Sequence, residues 1–452
     1  MMHRALRHDT IAAIATATGA AAVGLLRISG PQAIEITDLM TDGAASLCTE
    51  RKAKLCVVKN DSGEIIDETL LTIFRAPRSY TGETVCEIAG HGGILVMRSL
   101  LERSLACGAR LAEPGEFTQQ AFFNGKLDLT QAEGIMDLIS AQTHFALRAA
   151  HEQREGKLGK RTETLRDEIL ECLAHVEAYI DFPEEDISPQ VGSQLSLQLR
   201  NIRQSIQKLL ATADRGRILR DGIRTVIFGA PNTGKSSLLN CLLGYERAIV
   251  SDIAGTTRDT IEERVNVGGV MLRLIDTAGI REHTQDLIEK EGMRRSSQQR
   301  DSADLALAVF DASIPCPSEL PTPTSPHQHL IIILNKCDAA IDPSWEKISA
   351  VRISCANGKG LPELENAIST LVLQSTIDSG ESLVAINARH QNCLRRADQA
   401  LTSVLEQLAQ STELEIVSLD LRSAMDALGE IAGKIDADDI LGVIFSRFCI
   451  GK

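Results

Sequence analysis

The sequence predicts a multidomain protein: an α+β region comes first, and an α/β region is then inserted between two all-α stretches. Short β-rich runs surround a helical stretch at 94–107, and an apolar stripe of helical period follows. Nearly continuous apolar runs then alternate with helical stretches. The length of 452 residues agrees with about three domains. The predicted segments are 1–120, the first helical half 121–218, the inserted 219–380 and the second helical half 381–452.

The N-terminal region is predicted to be α+β because its runs AVGLLRIS, LLTIFRAP and TVCEIAG are short and β-rich. Arg4 and Arg7 precede the stretch TIAAIATATGAAAVGLL, which imitates a secretory signal peptide. Asp9, Gly19 and the threonines weaken that interpretation, and the stretch is too short and too polar to span a bilayer. We therefore expect a cytoplasmic protein without a membrane segment.

The helical region is predicted from apolar residues that recur at spacings of three and four. One stripe consists of Leu195, Leu199, Ile202, Ile206 and Leu209. A second stripe consists of Leu394, Ala397, Leu401, Val404 and Leu408. We expect the two halves to pack on each other through these stripes.

The inserted region is predicted to contain a parallel sheet. Its runs TVIFG, LRLIDTAG, LALAVFD and HLIIILNKCD are apolar throughout, as in strands that are buried on both faces. Helical stretches alternate with these runs. The Pro-rich segment 313–326 is predicted to be a surface loop.

Composition limits the classes of function. The net charge of −14 argues against a general nucleic-acid binder, which gains affinity by neutralising phosphates, although a local basic patch or a basic partner stays open. One Trp and three Tyr are too few for base-stacking platforms. The eleven cysteines form no CxxC pair and no zinc-like cluster, which indicates reduced thiols.

A phosphate-binding loop is predicted at GAPNTGKSS, from Gly229 to Ser237, because this motif lies between a predicted strand and a predicted helix. The glycines let successive backbone N–H groups face the phosphates. Lys235 is expected to meet the β- and γ-phosphates, and the Ser236 hydroxyl is expected to ligate Mg²⁺.

Guanine is the expected base. NKCD supplies Asn335, Lys336 and Asp338 at the end of a predicted strand, and the Asp338 carboxylate can accept both N1–H and N2–H₂ of guanine. ISCANG, with Ser354, completes the base pocket. DTAG at 276–279 and GTTRD, with Thr257, supply groups for Mg²⁺ and the γ-phosphate. This ordered set resembles the G domain of translation-factor-class GTPases.

Two catalytic parts of Ras-like proteins are missing from these motifs. Ile280 occupies the position where Ras-like proteins carry the Gln that orients the attacking water. No arginine finger is evident in the motifs either. Hydrolysis therefore needs another water-orienting group and another positive charge.

Over nearly its whole length the sequence resembles the MnmE (TrmE) family of tRNA-modification GTPases. The resemblance rests on Asn232, SDIAGTTRD and the ending CIGK. It also rests on the longer stretches DTIAAIAT…VGLLRISG, SYTGETVCEIAGHGG, PGEFTQQAFFNGKLDLTQAEGIMDLI, IDFPEED and DDILGVIFSRFCIGK. It implies an N-terminal tetrahydrofolate-binding domain that dimerises, a helical domain, and an inserted Ras-like P-loop G domain.

The resemblance also implies how the missing catalytic parts are supplied. In the family K⁺ replaces the arginine finger, and the matching K⁺ ligands are Asn232, Ser251, Ile253 and Thr256. Mg²⁺ would be held by Ser236 and Thr257. The implied catalytic residues are Lys235 and the water-orienting Glu289, whose spacing from Asp276 is one residue longer here than in the family.

The full nucleotide site combines the motifs with the resemblance. One departure from the family lies within it, since Cys355 replaces the usual Ala. The implied GTP-binding residues are Asn232, Thr233, Gly234, Lys235, Ser236, Ser237, Ser251, Asp252, Ile253, Ala254, Gly255, Thr256, Thr257, Asp276, Thr277, Ala278, Gly279, Asn335, Lys336, Asp338, Ser354, Cys355 and Ala356.

The C-terminal segment FSRFCIGK is expected to fold back on the protein, because Phe445, Phe448 and Ile450 need a packing partner. Its last residues do not suit a prenylation signal. The resemblance implies a lid over a folate pocket formed by Arg27, Glu87, Lys126 and Lys452. Cys449 would lie near the pterin as a reactive thiol or, alternatively, as a buried structural cysteine. Near the start of the chain, ATATGAAAVG stands where the family usually has a Pro-Pro pair. The first loop is therefore expected to differ in shape from that of the family.

The function that the resemblance implies is K⁺-activated GTP hydrolysis by a homodimer. With the flavin-dependent partner MnmG, in a heterotetramer or larger complex, such a protein adds an aminomethyl or carboxymethylaminomethyl group to C5 of the wobble uridine of certain tRNAs. The carbon unit would come from 5-formyl- or methylene-tetrahydrofolate. The open alternatives are a ribosome-assembly GTPase of the Era or Der type, and a folate-dependent aminomethyl carrier with a regulatory GTPase.

Overall fold

The structure, a computed structural model, divides into two units. One unit comprises Met1–Met136 with Gly429–Lys452, and the other comprises Asp137–Leu428. The first unit thus takes in the C-terminal residues from Gly429, which the sequence had placed in the second helical half. The described residues are 9–181, 190–244, 263–275, 300–325, 327–377, 386–410, 413–434, 438–446 and 448–451.

The first unit is built on a six-stranded sheet of order β3-β4-β5-β2-β1-β6. All neighbouring strands are antiparallel except β1 and β6, which are parallel. The strands are β1 Ile11–Ile14, β2 Val23–Ser29, β3 Lys54–Lys59, β4 Ile65–Phe74, β5 Val85–His91 and β6 Arg110–Leu111. The helices that begin in this unit are α1 Ala33–Thr41, α2 Ile94–Ala106, α3 Glu116–Phe123, α4 Leu129–Ser140 and α13 Asp438–Phe445.

One face of this sheet is covered by α1 and α2, which bury alternate residues of the strands. Along β4, for example, Leu71 and Ile73 are buried, whereas the neighbouring Leu70 is exposed. This is the period-two pattern of a sheet with one covered face. The strands expected from AVGLLRIS, LLTIFRAP and TVCEIAG are confirmed as β2, β4 and β5, and α2 confirms the helix expected near 94–107.

The C-terminal segment packs within this unit, as expected from its apolar residues. Phe445 and Phe448 are buried in a cluster with Leu129 and Ala132. Ile450, by contrast, is 54% exposed, so the expectation that all three apolar residues need packing is wrong for this one. Leu441 belongs to the same cluster, so the segment contacts α4 through three buried apolar residues.

The second unit contains long helices on both sides of the α/β segment in the sequence. Those before it are α5 His144–Arg154, α6 Lys157–Asp181, α7 Gln190–Ala211 and α8 Ala213–Asp221. Those that follow are α10 Leu361–Ile377, α11 Ala388–Ala409 and α12 Leu414–Ala432.

Helices α7 and α11 pack along each other, although about 180 residues separate them in the sequence. Each buries its predicted apolar stripe, and only the last residue of each stripe, Leu209 and Leu408, is half-buried. An ion pair joins the Arg203 Nε and Asp398 Oδ1 atoms at 3.1 Å. This packing supports the prediction that the α/β segment is an insertion.

The α/β segment forms a six-stranded sheet of order β12-β11-β10-β7-β9-β8, parallel except for the hairpin β8–β9. The strands are β7 Ile223–Phe228, β8 Glu263–Val267, β9 Val270–Leu274, β10 Leu305–Asp311, β11 His329–Asn335 and β12 Val351–Arg352, and α9 Lys235–Leu243 follows β7. Four of these strands were predicted, and β8 and β12 were not. The carboxyl ends of the parallel strands β7, β10 and β11 lead into Gly229, Asp311 and Asn335, at the sheet edge where such folds bind ligands.

Candidate functional site

The loop between β7 and α9 depends on two glycines. Gly234 has a φ of +96°, and a Cβ atom there would lie 2.0 Å from the Asn335 Nδ2 atom. A Cβ on Gly229 would lie 2.2 Å from the Val309 carbonyl oxygen. Both positions therefore require glycine for the loop to pass this close to the ends of β10 and β11.

Lys235 brings a positive charge into the same loop. Its Nζ atom donates hydrogen bonds to the carbonyl oxygens of Ala230, at 2.8 Å, and Gly229, at 3.1 Å. Burial lowers the pKa of Lys235. Helix α9 begins at this residue, so its N-terminal N–H groups point toward the loop. A cation and a helix N-terminus together make an anion-binding site.

The other predicted residues of this loop differ in exposure. Asn232 is exposed and has a φ of +63°, which is uncommon for a residue other than glycine. Thr233 is buried, and its hydroxyl donates to the Ala230 carbonyl oxygen at 3.0 Å. Ser236 is half-buried in the first turn of α9, and Ser237 is exposed.

Asn335 connects this loop to the loop after β12. Its Nδ2 atom donates to the Thr233 carbonyl oxygen at 3.0 Å, and its Oδ1 atom accepts the N–H of Cys355 at 3.1 Å. The residue is only 3% exposed, so both ends of its amide are satisfied within the protein. The segments expected to hold the phosphates and the base are therefore fixed to one side chain.

Asp338 presents an exposed carboxylate beside that link. The hydroxyl of the buried Ser354 donates to Asp338 Oδ1 at 2.6 Å, and this hydrogen bond lowers the pKa of Asp338. The carboxylate is therefore ionised at neutral pH and remains able to accept further donors. This is the state that a pair of guanine N–H donors requires.

Lys336 forms an ion pair with Asp311, the last residue of β10. Its backbone is left-handed, with a φ of +65°, and its Nζ atom lies 2.5 Å from Asp311 Oδ2. Burial tends to raise the pKa of Asp311, but hydrogen bonds from Lys336 and Ser313 outweigh burial and keep it low. The sequence did not single out Asp311, although its place at the end of β10 is a recognisable signal.

Cys355 serves the pocket through its backbone. Burial, followed by the neighbouring Cys241, raises the pKa of the Cys355 thiol to about 12. The Cys241 thiol also donates to the Cys355 carbonyl oxygen at 3.6 Å. A thiol that stays protonated at neutral pH is a packing group.

Several predicted nucleotide and metal residues fall outside the described part of the chain. They are Ser251, Asp252, Ile253, Ala254, Gly255, Thr256, Thr257, Asp276, Thr277, Ala278, Gly279 and the water-orienting Glu289. Among the described residues, Asn335 bonds both to Cys355 and to Thr233, two residues before Lys235. Ala356 is exposed next to them.

A second predicted site lies in the first unit, around Arg27. Its Nε atom donates to Glu87 Oε1 at 2.9 Å, and the two residues face each other across β2 and β5. The Arg27 guanidinium also lies 5.7 Å from the ring centroids of both Tyr80 and Phe117. Sequence reasoning missed Tyr80, whose hydroxyl shares a 2.8 Å hydrogen bond with Thr118, although its stretch SYTGETV carried the resemblance.

The C-terminal segment reaches this second site. Arg27 Nη1 lies 3.4 Å from the Gly451 carbonyl oxygen. Gly451 has a φ of +96°, and a Cβ atom there would lie 2.5 Å from the Ile14 carbonyl oxygen. Cys449 is exposed, which does not fit the alternative of a buried structural cysteine.

One of the two lysines predicted for this site, Lys126, belongs to the described residues, and Lys452 does not. Lys126 is exposed between α3 and α4, and its Nζ atom donates to the Pro77 carbonyl oxygen at 3.0 Å, at the start of the loop that carries Tyr80. Arg27 thus contacts Glu87 and Gly451, and Lys126 contacts the loop of Tyr80.

None of the helices in the described part of the chain is long and apolar enough to cross a membrane. Within the same residues, three or more His, Cys, Asp or Glu side chains do not gather into a group that could hold a metal ion.

Comparison with known proteins agrees with the resemblance. Family models match the chain over residues 10–126, described as the GTP-binding protein TrmE N-terminus, and over residues 129–449, described as the MnmE helical domain. The chain is 50% identical to the tRNA modification GTPase MnmE of Akkermansia muciniphila, covering 98% of this chain and 99% of that protein. Proteins of the same name from Geobacter sulfurreducens and Clostridioides difficile are 44% and 43% identical, with the same coverage. The chain therefore belongs to the MnmE family of tRNA modification GTPases and is an enzyme of the GTPase class.

Proposed function

We propose that the chain hydrolyses GTP at the site joined by Asn335, and that hydrolysis serves tRNA modification. Together with the flavin-dependent partner MnmG, the homodimer would add an aminomethyl or carboxymethylaminomethyl group to C5 of the wobble uridine of certain tRNAs, in the cytoplasm. The observation that carries the proposal is the Asn335 amide, which bonds the loop with Lys235 to the loop beside Asp338. GTPases of the Era or Der type carry a KH-like RNA-binding domain after the G domain. The ribosome-assembly alternative is set aside because the chain after the G domain here lies within the match to the MnmE helical domain.

Phosphate binding would fall to the backbone of the loop that follows β7 and to Lys235. The ammonium group already lies on the loop carbonyls, within reach of phosphates held at the start of α9. Ser236 and Thr257 would hold Mg²⁺, which supplies positive charge to the phosphate oxygens. Of these two, only Ser236 lies in the described residues, and its place in the first turn of α9 suits a ligand that faces the phosphates.

Asn232 is the described member of the proposed K⁺ site. Its side chain is exposed, its backbone is left-handed, and its amide offers a neutral oxygen of the kind that suits an alkali cation. Ser251, Ile253 and Thr256 would complete the site. Bound K⁺ would supply the positive charge that an arginine finger gives in other GTPases. Glu289 would orient the attacking water in place of Ile280.

The folate site would be formed by Arg27, Glu87 and the C-terminal segment. Lys126, between α3 and α4, and Lys452, at the end of the chain, would add two cations to it. Arg27 is 17% exposed at its side chain, and Glu87 neutralises part of its charge. Its remaining N–H donors suit the carboxylate or pterin oxygens of a tetrahydrofolate derivative. Bound 5-formyl- or methylene-tetrahydrofolate would supply the carbon unit.

Changing Asp338 to Asn is expected to exchange nucleotide specificity. The amide replaces one carboxylate acceptor with a donor, so GTP affinity should fall by at least about tenfold and xanthosine triphosphate affinity should rise. Calorimetric titration measures both. Asp342→Asn is the matched control, because Asp342 also accepts a hydrogen bond from a serine, Ser344, and this bond also lowers its pKa. If Asp338→Asn binds GTP as well as the parent, this assignment of the base pocket is wrong.

Hydrolysis is expected to be fast in K⁺ and slow in Na⁺ at equal ionic strength, and to rise with protein concentration if dimer formation limits it. Asn232→Ala should remove the difference between the two cations while GDP affinity stays near that of the parent, since Lys235 and backbone N–H groups hold the phosphates. Asn240→Ala, an exposed asparagine of α9, is the control. Steady-state phosphate release measures the rates, and equal turnover in both cations would contradict the K⁺ site.

Glu289→Ala is expected to slow hydrolysis, because the attacking water would lose the group that orients it. The same phosphate-release measurement tests this, and full activity of Glu289→Ala would contradict the role of Glu289.

Folate binding is expected to depend on the path of the C-terminal segment. Gly451→Ala combines a strained positive φ with a clash at the Ile14 carbonyl, so affinity for 5-formyltetrahydrofolate should fall by about tenfold or more. Nucleotide affinity should not change. Gly442→Ala is the matched control, because a Cβ atom there meets nothing within 4 Å. If calorimetry shows that Gly451→Ala binds folate as well as the parent, the hypothesis that the C-terminal segment covers the folate pocket is wrong.

A further inference from the structure

Asp311 places a buried carboxylate at the edge of the second sheet where the nucleotide motifs meet. It is the last residue of β10, its side chain is 8% exposed, and it lies opposite Asn335, the last residue of β11. The neighbouring Ala312 N–H donates to the Asn335 carbonyl oxygen at 2.9 Å. A buried carboxylate costs free energy unless its oxygens accept hydrogen bonds. The partners of Asp311 therefore indicate what the residue does.

Two segments donate to the Asp311 carboxylate, one to each oxygen. Ser313, at the start of the Pro-rich loop, donates to Oδ1 through its N–H at 3.0 Å and its hydroxyl at 2.7 Å. Lys336 donates to Oδ2 from its Nζ atom at 2.5 Å. Ser313 thus fixes the direction of the carboxylate, and the other oxygen holds the ammonium group of Lys336.

Lys336 is held at both ends of its side chain. Its backbone is left-handed and lies between Asn335, which bonds to the phosphate loop, and Asp338, the proposed acceptor for the base. Its ammonium group is fixed by Asp311. The methylene stem between these two ends therefore has little rotamer freedom, although the side chain is still 43% exposed. A partly exposed stem in a fixed position can cover the flat face of a base, as lysine stems cover other apolar surfaces.

We propose that Asp311 is a positioning residue of the guanine site, which holds the Lys336 ammonium group so that the methylene stem of Lys336 packs against the bound base. The proposal rests on the proposed function, because it uses the same base pocket. Without the carboxylate, the lysine side chain would have to be ordered when the nucleotide binds, and this ordering would reduce affinity. The reduction should appear mainly as faster dissociation, and only for ligands that contain the base.

Asp304 provides a matched control at the other end of the same strand. It directly precedes β10, its side chain is 13% exposed, and it forms ion pairs with Arg217 and Arg224 at 2.9 and 3.2 Å. In Asp304 and Asp311 alike, burial would raise the pKa of the carboxyl group, but hydrogen-bond donors outweigh burial and lower it. Asp304→Asn thus removes a comparable charge, away from the sheet edge that carries the nucleotide motifs.

The test measures, by stopped-flow, the dissociation of GDP that carries a fluorescent group on its ribose from the full-length protein. It compares the parent with Asp311→Asn, Lys336→Met, the double variant and Asp304→Asn. Lys336→Met keeps an unbranched side chain but removes the ammonium group, so the double variant shows whether Asp311 acts through that group. Calorimetry with inorganic tripolyphosphate, which lacks the base, follows the phosphate loop separately. Thermal unfolding verifies that each variant is folded, and Ser313→Ala replaces Asp311→Asn if the latter does not fold.

We expect Asp311→Asn to accelerate GDP dissociation by about tenfold in the parent background and by less than about twofold in the Lys336→Met background. Ser313→Ala should accelerate it by about twofold to threefold, because Oδ1 loses one of its two donors. Tripolyphosphate affinity should not change in these variants. Asp304→Asn should release GDP at the rate of the parent.

The proposal is overturned if Asp311→Asn, or Ser313→Ala in its place, releases GDP at the rate of the parent, or if the acceleration is the same in both backgrounds. An equal acceleration in Asp304→Asn, or a matching loss of tripolyphosphate affinity, also overturns it, because either result would indicate general loosening of the domain. Failure of GTP hydrolysis or of tRNA modification in the parent would overturn the proposed function and leave the comparison of GDP dissociation rates standing.

Discussion

The nucleotide site depends on one buried side chain, the amide of Asn335. Its two ends donate to the Thr233 carbonyl and accept from the Cys355 N–H, so only a group with both a donor and an acceptor fits there. An Asp would lose the donor, and a Leu would leave two buried backbone groups without partners, at a cost of about 1–3 kcal/mol each. The close approach of Nδ2 also explains why Gly234 tolerates no side chain. The separation of the two loops and the need for glycine at position 234 thus follow from one residue.

The first unit uses a related arrangement at its own site. Arg27 is fixed by Glu87 across neighbouring strands, and it meets a carbonyl oxygen of the C-terminal segment, where Gly451 again has a positive φ. In both units a polar side chain from a strand joins segments far apart in sequence, and a glycine permits the contact. Loss of either glycine would move backbone, which is harder to compensate than a side-chain change.

Much of this could be predicted from the sequence because it depends on local pattern. The strand–loop–helix around Lys235 and the carboxylate of Asp338 follow from motifs whose chemistry is local. Features that depend on strand pairing could not be read in this way. The stretch that imitates a signal peptide instead supplies β1, whose Ile11 is fully buried in the first sheet. Arg224, Arg273 and Arg264 lie opposite one another on the neighbouring strands β7, β9 and β8. This alignment depends on strand register, which sequence spacing does not reveal.

The central claim is that Asn335 holds the phosphate loop and the base loop together as one unit. Amide hydrogen exchange of the nucleotide-free protein tests it most directly, by comparing Asn335→Ala with the parent in peptides that cover 229–237 and 353–357. Because each lost hydrogen bond is worth about 1 kcal/mol, exchange in both peptides should accelerate together, on the order of fivefold to tenfold. The strand of residues 23–29, in the other unit, should exchange at its original rate. Acceleration in only one of the two loops, or in neither, would contradict the account.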